Sequence, residues 1–275
     1  MIRHYLTAIN AENIKEWKIE MSYLPDFIRS FIEPIVYVLP FVLYGIALVG
    51  GRNSPNLARL VGSGDIITYV VLGYIVMGFL NTACWGMGWS LRKEQWYGTI
   101  ETIFAAPVPR WVYIAGMATH STLHQGGMIG IQVIVIHLLF RIFFHTSGIL
   151  PSLLLIGLML IALYGMGMMV AALALIFKEG WIVSEILHSI ISVVTPIAYP
   201  LSVLPVFLRE IAKFMPTTYG VLGIRHFLMG ERVFFTIPEA VFKLLLFGFV
   251  WVGFGITIFL LIDRKVRRDG TLGHY

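Results

Sequence analysis

Long uninterrupted apolar runs dominate the chain, and polar residues gather in short stretches between them. Six runs reach the roughly 20 residues that a helix needs to cross a lipid bilayer. They cover residues 30–50, 66–90, 113–140, 151–177, 181–204 and 238–262. The runs lack the strict alternation that is typical of transmembrane barrel strands. The pattern therefore predicts an all-α polytopic membrane protein with six transmembrane helices, in a single domain that covers residues 1–275.

The segment before the first run, residues 1–29, has a different pattern. Apolar residues recur at helical spacing on one face, and charged residues occupy the other faces. The apolar face consists of Ile14, Trp17, Met21, Leu24 and Ile28. A helix of this kind lies in the membrane interface, with its tryptophan at the level of the lipid headgroups. We predict such an interfacial helix, in contact with membrane lipid, and the alternative is an ordinary charged tail.

A second amphipathic segment, residues 92–105, lies between the second and third runs and ends before Pro107. At 100° per residue, one apolar arc consists of Trp96, Tyr97, Ile100, Ile103 and Phe104. The opposite face consists of Glu94, Gly98 and Glu101. We predict a short helix that presses its apolar arc on the bundle and offers two carboxylates and a glycine to another protein. A solvated loop with incidental charges is the alternative.

The third unusual segment covers residues 200–236. It is too apolar for a free loop, and Pro205 and Pro216 break it too often for a transmembrane helix. Irregular backbone at membrane depth must be covered by protein or line a wet cavity. We predict a re-entrant helical hairpin on the outer side of the membrane.

Composition and charge agree with a membrane protein and orient it. Charged residues make up 13% of the chain, against roughly 25% in soluble domains. Of the 20 Lys and Arg residues, 12 fall on the side of the two termini and 8 on the other. Cytoplasmic loops carry such an excess. We predict a multi-pass protein of the plasma or inner membrane with both termini cytoplasmic, and no nucleic-acid partner.

Several ionisable residues lie within the apolar runs. Glu33 is in the first run, and Glu185 and His188 are in the fifth. Intramembrane ionisable residues are functional candidates by default. A proton relay and structural pairing are the two interpretations of these three residues.

Histidines in the third run allow an alternative function. His120 and His124 are four residues apart, so both imidazoles can face one metal. His137 follows near the opposite leaflet, as in membrane haem proteins, but a second helix with two histidines is missing. A membrane haem or redox protein is therefore kept only as a remote alternative, and we predict no metal site.

Close pairs of glycines in the runs favour helix packing. Gly165 and Gly167 form one such pair, and Gly126 and Gly130 form another. The chain contains no GxxxxGK[ST] phosphate loop and no HExxH sequence. We therefore predict no catalytic residues.

Two series of motifs bear a family resemblance. Residues 94–101 carry E-x3-G-T-x-E, and Ala106 and Pro107 follow. The second series consists of Pro196, Tyr199, Pro200, Pro205, Pro216, Tyr219 and Arg225. In this order and spacing the motifs resemble those of type-2 ABC transporter permeases, and the resemblance covers most of the chain.

The resemblance implies a membrane-spanning permease subunit of an ATP-driven exporter, which is a transport subunit and not an enzyme. Residues 92–105 would form the coupling helix, whose contacts with the ATPase would come from Glu94, Gly98, Thr99 and Glu101. The expected partners are two copies of a separate ABC ATPase, which bind ATP and Mg, and a second permease chain that completes a homodimer or heterodimer. No cofactor is expected in this chain itself.

The resemblance also implies an amphipathic or lipid-like substrate, such as a drug, lipid or glycolipid, that leaves the cytoplasm or inner leaflet. Residues 215–219 look closer to the drug and nodulation-factor branch, because the glycan branch typically has Asn-Pro there. Export of a lipid-linked polysaccharide and an ion-coupled carrier that works alone stay open as alternatives. Four aromatic residues either line the substrate cavity or serve packing: Tyr74, Trp85, Trp89 and Tyr199.

Overall fold

The computed structural model describes residues 2–176 and 180–269, and helices make up most of this part of the chain. Its α-helices are α1 (Ile2–Ser22), α2 (Leu24–Val49), α3 (Pro55–Val61), α4 (Ile66–Asn81), α5 (Gly88–Trp96), α6 (Ile100–Ala105), α7 (Arg110–Phe140), α8 (Ile149–Ile176), α9 (Gly180–Val194), α10 (Val206–Ala212), α11 (Pro216–Met229) and α12 (Ile237–Asp269). A π-helical turn over Thr82–Met87 joins α4 to α5. The predicted all-α class is confirmed.

Five segments of the described residues are long and apolar enough to cross a membrane. They are Leu24–Val49, Ile66–Met87, Arg110–Phe140, Thr146–Ala174 and Ile237–Lys265. The predicted run over residues 181–204 contains α9, which is apolar but has only 15 residues. It ends early because Pro196 disfavours helical backbone in the residue before it. A polytopic protein is thus confirmed, and six crossings remain a prediction. Residue 177, at the end of the fourth predicted run, lies outside the described residues.

The N-terminal helix is shorter than expected. The predicted helix over residues 1–29 ends at Ser22, and residues 24–29 already belong to α2. Pro25 occupies the first turn of α2, where its missing N–H costs nothing, and the non-helical backbone of Tyr23 (φ −111°, ψ 66°) separates the two helices. α1 therefore stands as a separate element that packs on α7.

Helix α8 lies at the centre of the bundle, with α12 along most of its length and α5, α9, α11 and the π-helical turn on its other sides. Gly165 permits the close approach of α12, because a Cβ at this position would lie 2.5 Å from the Val252 backbone nitrogen. A Cβ on Gly167 would lie 2.5 Å from the Ala83 carbonyl oxygen. The predicted packing role of this pair is confirmed. A Cβ on Gly126 or Gly130 would meet no described atom within 4 Å, so the packing prediction for that pair is wrong within one protomer.

The segment predicted as a re-entrant hairpin forms a short turn over Leu201–Val203 and then the helices α10 and α11. α11 is buried from Pro216 to Arg225 and packs on α8 and α4. This burial satisfies the requirement that irregular backbone at membrane depth be covered by protein. The depth of the segment in the membrane remains a prediction.

Arg225 on α11 is fully buried and joins three parts of the fold. Its guanidinium donates to the carbonyl oxygen of Tyr69 at 2.8 Å and of Pro196 at 2.8 Å, and also to that of Ile197. The guanidinium carbon also lies 3.5 Å from the centroid of the Tyr69 ring. One side chain thereby satisfies buried carbonyl groups of α4 and of the irregular segment after α9.

Candidate functional site

The loop predicted as one helix over residues 92–105 consists of two helices, α5 and α6, separated by Gly98. Gly98 has a left-handed φ of 69°. Its N–H donates to the Gln95 carbonyl at 3.0 Å, and the Thr99 N–H donates to the Glu94 carbonyl at 2.9 Å. This is the Schellman pattern, which satisfies the last carbonyls of α5 and requires positive φ at the glycine. The prediction of a continuous helix is therefore wrong, and Gly98 is a helix terminator.

The side chains that face outward on the loop differ from the predicted ones. Glu94 is only 5% exposed, while Trp96 and Tyr97 are each 69% exposed. These three residues have the opposite placement to the predicted one, because α5 turns its Glu94 face toward Lys15 of α1 and Tyr113 of α7. Ile100 is buried, and Glu101 is exposed, both as predicted. The side chain of Phe104 lies outside the described part.

Glu94 belongs to a set of charged residues that we call the α1 ion cluster: Glu12, Lys15, Glu16, Lys93 and Glu94. The Lys15 Nζ lies 2.9 Å from Glu94 Oε1 and 2.6 Å from Glu12 Oε1. The Lys93 Nζ lies 2.6 Å from Glu16 Oε2. The cluster therefore joins α1 to α5 twice: a lysine of α1 pairs with a glutamate of α5, and a lysine of α5 pairs with a glutamate of α1.

Two uncharged donors complete the surroundings of Glu94. The Tyr113 hydroxyl on α7 donates to Glu94 Oε1 at 3.1 Å, and the Thr99 hydroxyl donates to the other carboxylate oxygen. The structure thus places Thr99 as a partner of Glu94. Together with the α1 ion cluster, these bonds connect the loop to both α1 and α7.

Acidification is expected to loosen α1. Burial raises the pKa of Glu94, but hydrogen bonds from Thr99 and Lys15 outweigh it and hold the pKa below its ordinary value of 4.5. A carboxyl whose pKa is lowered on folding contributes stability above the unfolded pKa, and this stability is lost as the pH falls through the folded pKa. We expect hydrogen–deuterium exchange in residues 2–22, corrected for intrinsic rates, to increase as the pH falls below 4.5.

Two neighbouring carboxylates, Glu20 and Glu12, have opposite effects on the pH dependence of stability. Burial raises the pKa of Glu20, but a hydrogen bond with His120 and the charge of His124 outweigh it and lower the pKa. Burial raises the pKa of Glu12 despite Lys15, so Glu12 opposes the effect. The Glu94→Gln variant should flatten the exchange profile, and Glu210→Gln in α10 should leave it unchanged. Constant exchange down to about pH 3 in the unmodified protein would contradict this account.

The third-run histidines contact α1. His120 Nε2 lies 3.0 Å from Glu20 Oε1, and His124 Nε2 lies 3.7 Å from Glu20 Oε2. The Trp17 ring packs edge-on against both imidazoles, with centroid distances of 4.9 Å and 5.8 Å. Trp17, expected at the lipid headgroups, therefore lies against α7. His137 has a separate partner, the Ile142 carbonyl, at 2.6 Å from its Nδ1.

A cavity of about 600 Å³ lies among α2, α4, the π-helical turn, α7 and α9. It brings together the predicted intramembrane residues Glu33, Glu185 and His188, although they are distant in sequence. The Glu33 carboxylate accepts a hydrogen bond from Arg29 at 2.9 Å, and that of Glu185 accepts one from Ser189 at 3.1 Å. The three residues thus form part of one candidate site.

Aromatic side chains form much of the cavity wall: Tyr37, Phe41, Tyr74 and Trp85. Trp85 lies within the π-helical turn, a feature that frequently occurs at functional sites. Of the four aromatic residues proposed from sequence, Tyr74 and Trp85 line this cavity. Tyr199 instead donates its hydroxyl hydrogen to the Val193 carbonyl, and the Trp89 side chain lies outside the described part.

Sequence reasoning missed the ion cluster that holds α1 and the anchoring role of Arg225. The available signal for Arg225 was its charge within an otherwise apolar segment, which marks a buried functional or structural group. The cluster gave no comparable signal, because alternating Glu and Lys residues on a short helix also occur on solvated surfaces. Its members lie on two elements that only the tertiary fold brings together.

The sequence matches the model of the ABC-2 type transporter family over residues 4–229. It is also similar to the inner membrane transport permease YadH of Escherichia coli (strain K12), with 24% identity over 210 residues. That match covers 76% of this chain and 78% of the relative, and the Shigella flexneri protein of the same name gives the same values. Because the family match extends over most of the chain, this protein belongs to the ABC-2 type transporter family.

Proposed function

We propose that this chain is the permease subunit of an ATP-driven exporter in the inner membrane, with both termini cytoplasmic. Two copies of an ABC ATPase would bind ATP and Mg and hydrolyse the nucleotide. A second permease chain, identical or different, would complete the transport path. Family membership and the name of the YadH relatives support a transport subunit. The absence of a phosphate-loop sequence from the chain fits hydrolysis by a partner.

The observation that carries this proposal is the exposed turn between α5 and α6. We call this surface the α5–α6 tip: Trp96, Tyr97, Gly98 and Glu101. Its two large aromatic side chains are mostly exposed, and aromatic residues dominate the energetics of protein interfaces. The ATPase is the proposed occupant because the tip lies in the segment whose sequence resembles the coupling helix of the family. Glu94, expected as a direct contact, would instead support the tip from inside.

The surroundings of the tip suit the transmission of movement. The α1 ion cluster ties the loop to α1, and the Tyr113 hydroxyl ties it to α7. A load applied at the tip would therefore move α1, α5 and the start of α7 together. Closure of the ATPase pair on ATP would bias the bundle between two arrangements in this way. The cavity among α2, α7 and α9 would accept an amphipathic or lipid-like substrate, since it combines aromatic walls with polar side chains.

Loss of the tip aromatics is expected to separate the permease from its ATPase. Truncation of an aromatic interface anchor typically costs at least about 2 kcal/mol, or roughly a 30-fold loss of affinity. We expect this loss for Trp96→Ala and Tyr97→Ala, and a smaller one for Glu101→Ala, whose charge belongs to the rim. The measurement is co-purification of the partner ABC ATPase with the permease. ATP hydrolysis by that ATPase, stimulated by the permease in lipid nanodiscs, is measured as well.

The Tyr44→Ala variant is the matched control, because Tyr44 is also mostly exposed but lies near the C-terminal end of α2, outside the α5–α6 tip. All four variants should keep the elution profile of the unmodified protein, since none of these side chains is buried. Normal ATPase binding by a Trp96→Ala, Tyr97→Ala double variant would contradict the docking surface. ATP hydrolysis by the purified permease alone would contradict the proposed function as a whole.

A further inference from the structure

We propose that the cavity among α2, α4, α7 and α9 recognises a lipophilic cation, so that the transported compound is a cationic amphiphile. This inference rests on the proposed transport function and adds the charge of the substrate. In the described part of the chain, the cavity lining includes two carboxylates, those of Glu33 and Glu185, and no lysine or arginine. His188 is the basic side chain of the lining.

The nearest arginine leaves Glu33 only partly neutralised. Arg29 Nη1 lies 2.9 Å from the Glu33 carboxylate, but its Nε also lies 3.0 Å from the carboxylate of Asp26. One guanidinium shared by two carboxylates leaves this group with an excess negative charge. Arg29 is also mostly exposed, so water weakens its attraction for both carboxylates.

Glu185 has still less compensation. Its carboxylate accepts a hydrogen bond from the Ser189 hydroxyl, and no lysine or arginine of the described residues lies within 4 Å of it. His188 is one turn further along α9, and its buried Nε2 has no hydrogen-bond partner among the described atoms. The Glu185 side chain is exposed and lines the cavity, so a cation that enters the cavity can approach the carboxylate directly.

The aromatic walls favour the same charge. The ring faces of tyrosine, phenylalanine and tryptophan carry negative electrostatic potential, so they attract cations within about 6 Å and repel anions. Phe41 and Tyr74 pack on each other, with centroids 5.0 Å apart, and Trp85 lies on the same cavity. The volume of about 600 Å³ lies within the roughly 300–1,000 Å³ range of sites for drug-sized ligands.

The remaining polar groups are neutral amides, whose oxygens accept hydrogen bonds and whose NH2 groups donate them, so they do not select the charge of a ligand. Asn81, Gln125 and Gln132 contribute these amides, and the Gln125 carbonyl oxygen is already engaged by the Thr82 hydroxyl at 3.1 Å. An anionic headgroup would meet two carboxylates without a lysine or arginine to balance it. The cavity therefore disfavours a lipid-linked phosphate or pyrophosphate and favours an organic cation.

Two probes of the same shape and opposite charge test the inference: tetraphenylphosphonium and tetraphenylborate. Binding of each to the purified full-length chain is measured by equilibrium dialysis at pH 8, in zwitterionic nanodiscs, with empty nanodiscs subtracted. We expect saturable binding of the phosphonium, which Glu185→Gln weakens about tenfold without weakening binding of the borate. Glu33→Gln should have a smaller effect, because Arg29 already offsets part of that charge.

Glu210→Gln is the matched control, since Glu210 is exposed on α10, pairs with Lys213 and lies outside the cavity lining. Both cavity substitutions preserve side-chain shape, and monodisperse elution verifies the fold. Equal phosphonium binding by the unmodified protein and Glu185→Gln, or preferential binding of the borate, would overturn the inference.

Recruitment of the ATPase is measured separately on the same preparations. A chain that recruits the ATPase but shows no charge preference would refute the cationic substrate and leave the permease function intact. A chain that shows the preference but never recruits an ATPase would refute the exporter and leave the cation-selective cavity standing.

Discussion

Replacement of Arg225 by methionine is expected to destabilise the packing of α11 on α4 and on the segment after α9 by about 3–5 kcal/mol, the range for the loss of one partner of a buried charged group. The substitution would remove the guanidinium donor from the carbonyl groups of Tyr69, Pro196 and Ile197. The Glu231 carboxylate, which is buried with its Oε2 3.9 Å from Arg225 Nε, would also lose its nearby positive charge. The measurement is the midpoint of unfolding in detergent, determined once by heating and once by titration with denaturant.

Two further variants distinguish geometry from charge. Arg225→Lys keeps the positive charge, but a single ammonium group cannot reproduce the planar fork that reaches several carbonyl groups, so it should recover only part of the loss. Arg59→Met removes an exposed arginine of α3 and should change stability by no more than about 0.5 kcal/mol. Full stability of Arg225→Lys would show that the charge alone matters, and full stability of Arg225→Met would contradict the anchor.

Substitution of Gly165 by alanine is expected to separate α8 from α12. The added Cβ would lie within 2.5 Å of the Val252 backbone nitrogen, and backbone atoms cannot move aside as a flexible side chain can. We expect a loss at or above the upper end of the roughly 1–3 kcal/mol that overpacking costs. Gly255→Ala should have a similar effect, because its Cβ would clash with the Gly165 carbonyl oxygen from the other side.

The same two helices provide matched controls. A Cβ at Gly157 on α8 or at Gly253 on α12 would meet no described atom within 4 Å. Gly157→Ala and Gly253→Ala should therefore be neutral or slightly stabilising, since alanine favours a helix over glycine by up to about 1 kcal/mol. Resistance to unfolding in mixed detergent micelles compares the four variants. Equal stability of Gly165→Ala and Gly157→Ala would contradict the close approach of the helices.

The two carboxylates of the α5–α6 loop show how a single backbone residue alters a sequence-based prediction. Glu94 and Glu101 are seven residues apart, a spacing that places them on one face of an uninterrupted helix. A glycine inside a helical pattern is tolerated in many helices, so the pattern alone did not reveal that Gly98 ends α5. The packing of α5 on α1 places Glu94 against Lys15, and the left-handed φ at Gly98 separates Glu101 from that face and leaves it at the surface. Removal of Glu94 is thus expected to weaken the attachment of the loop to α1. Removal of Glu101 is expected to weaken the contacts of the loop with the proposed ATPase partner.

Local pattern determined the membrane-spanning architecture of this protein. A continuous apolar run has to satisfy its backbone hydrogen bonds within a helix once it enters lipid, so length and hydropathy suffice to locate the long helices. Prolines likewise indicated the broken segment that holds α10 and α11. The order of the loop and outer motifs indicated the family, and the match over residues 4–229 confirmed it.

Only the tertiary structure decided which distant residues meet. Glu33 and Glu185 line one cavity because α2 and α9 both turn these faces toward it, and a helical pattern does not specify the rotation of one buried helix against another. The same limitation applies to Gly165, where an added Cβ would clash with a neighbouring backbone, and to Gly126, where an added Cβ would meet no atom of another described element within 4 Å. The contacts of Lys15 and Arg225 could not be predicted for the same reason, because a charged side chain in a sequence does not indicate its partner. Such contacts depend on helix packing, which is a property of the whole bundle and not of any one segment.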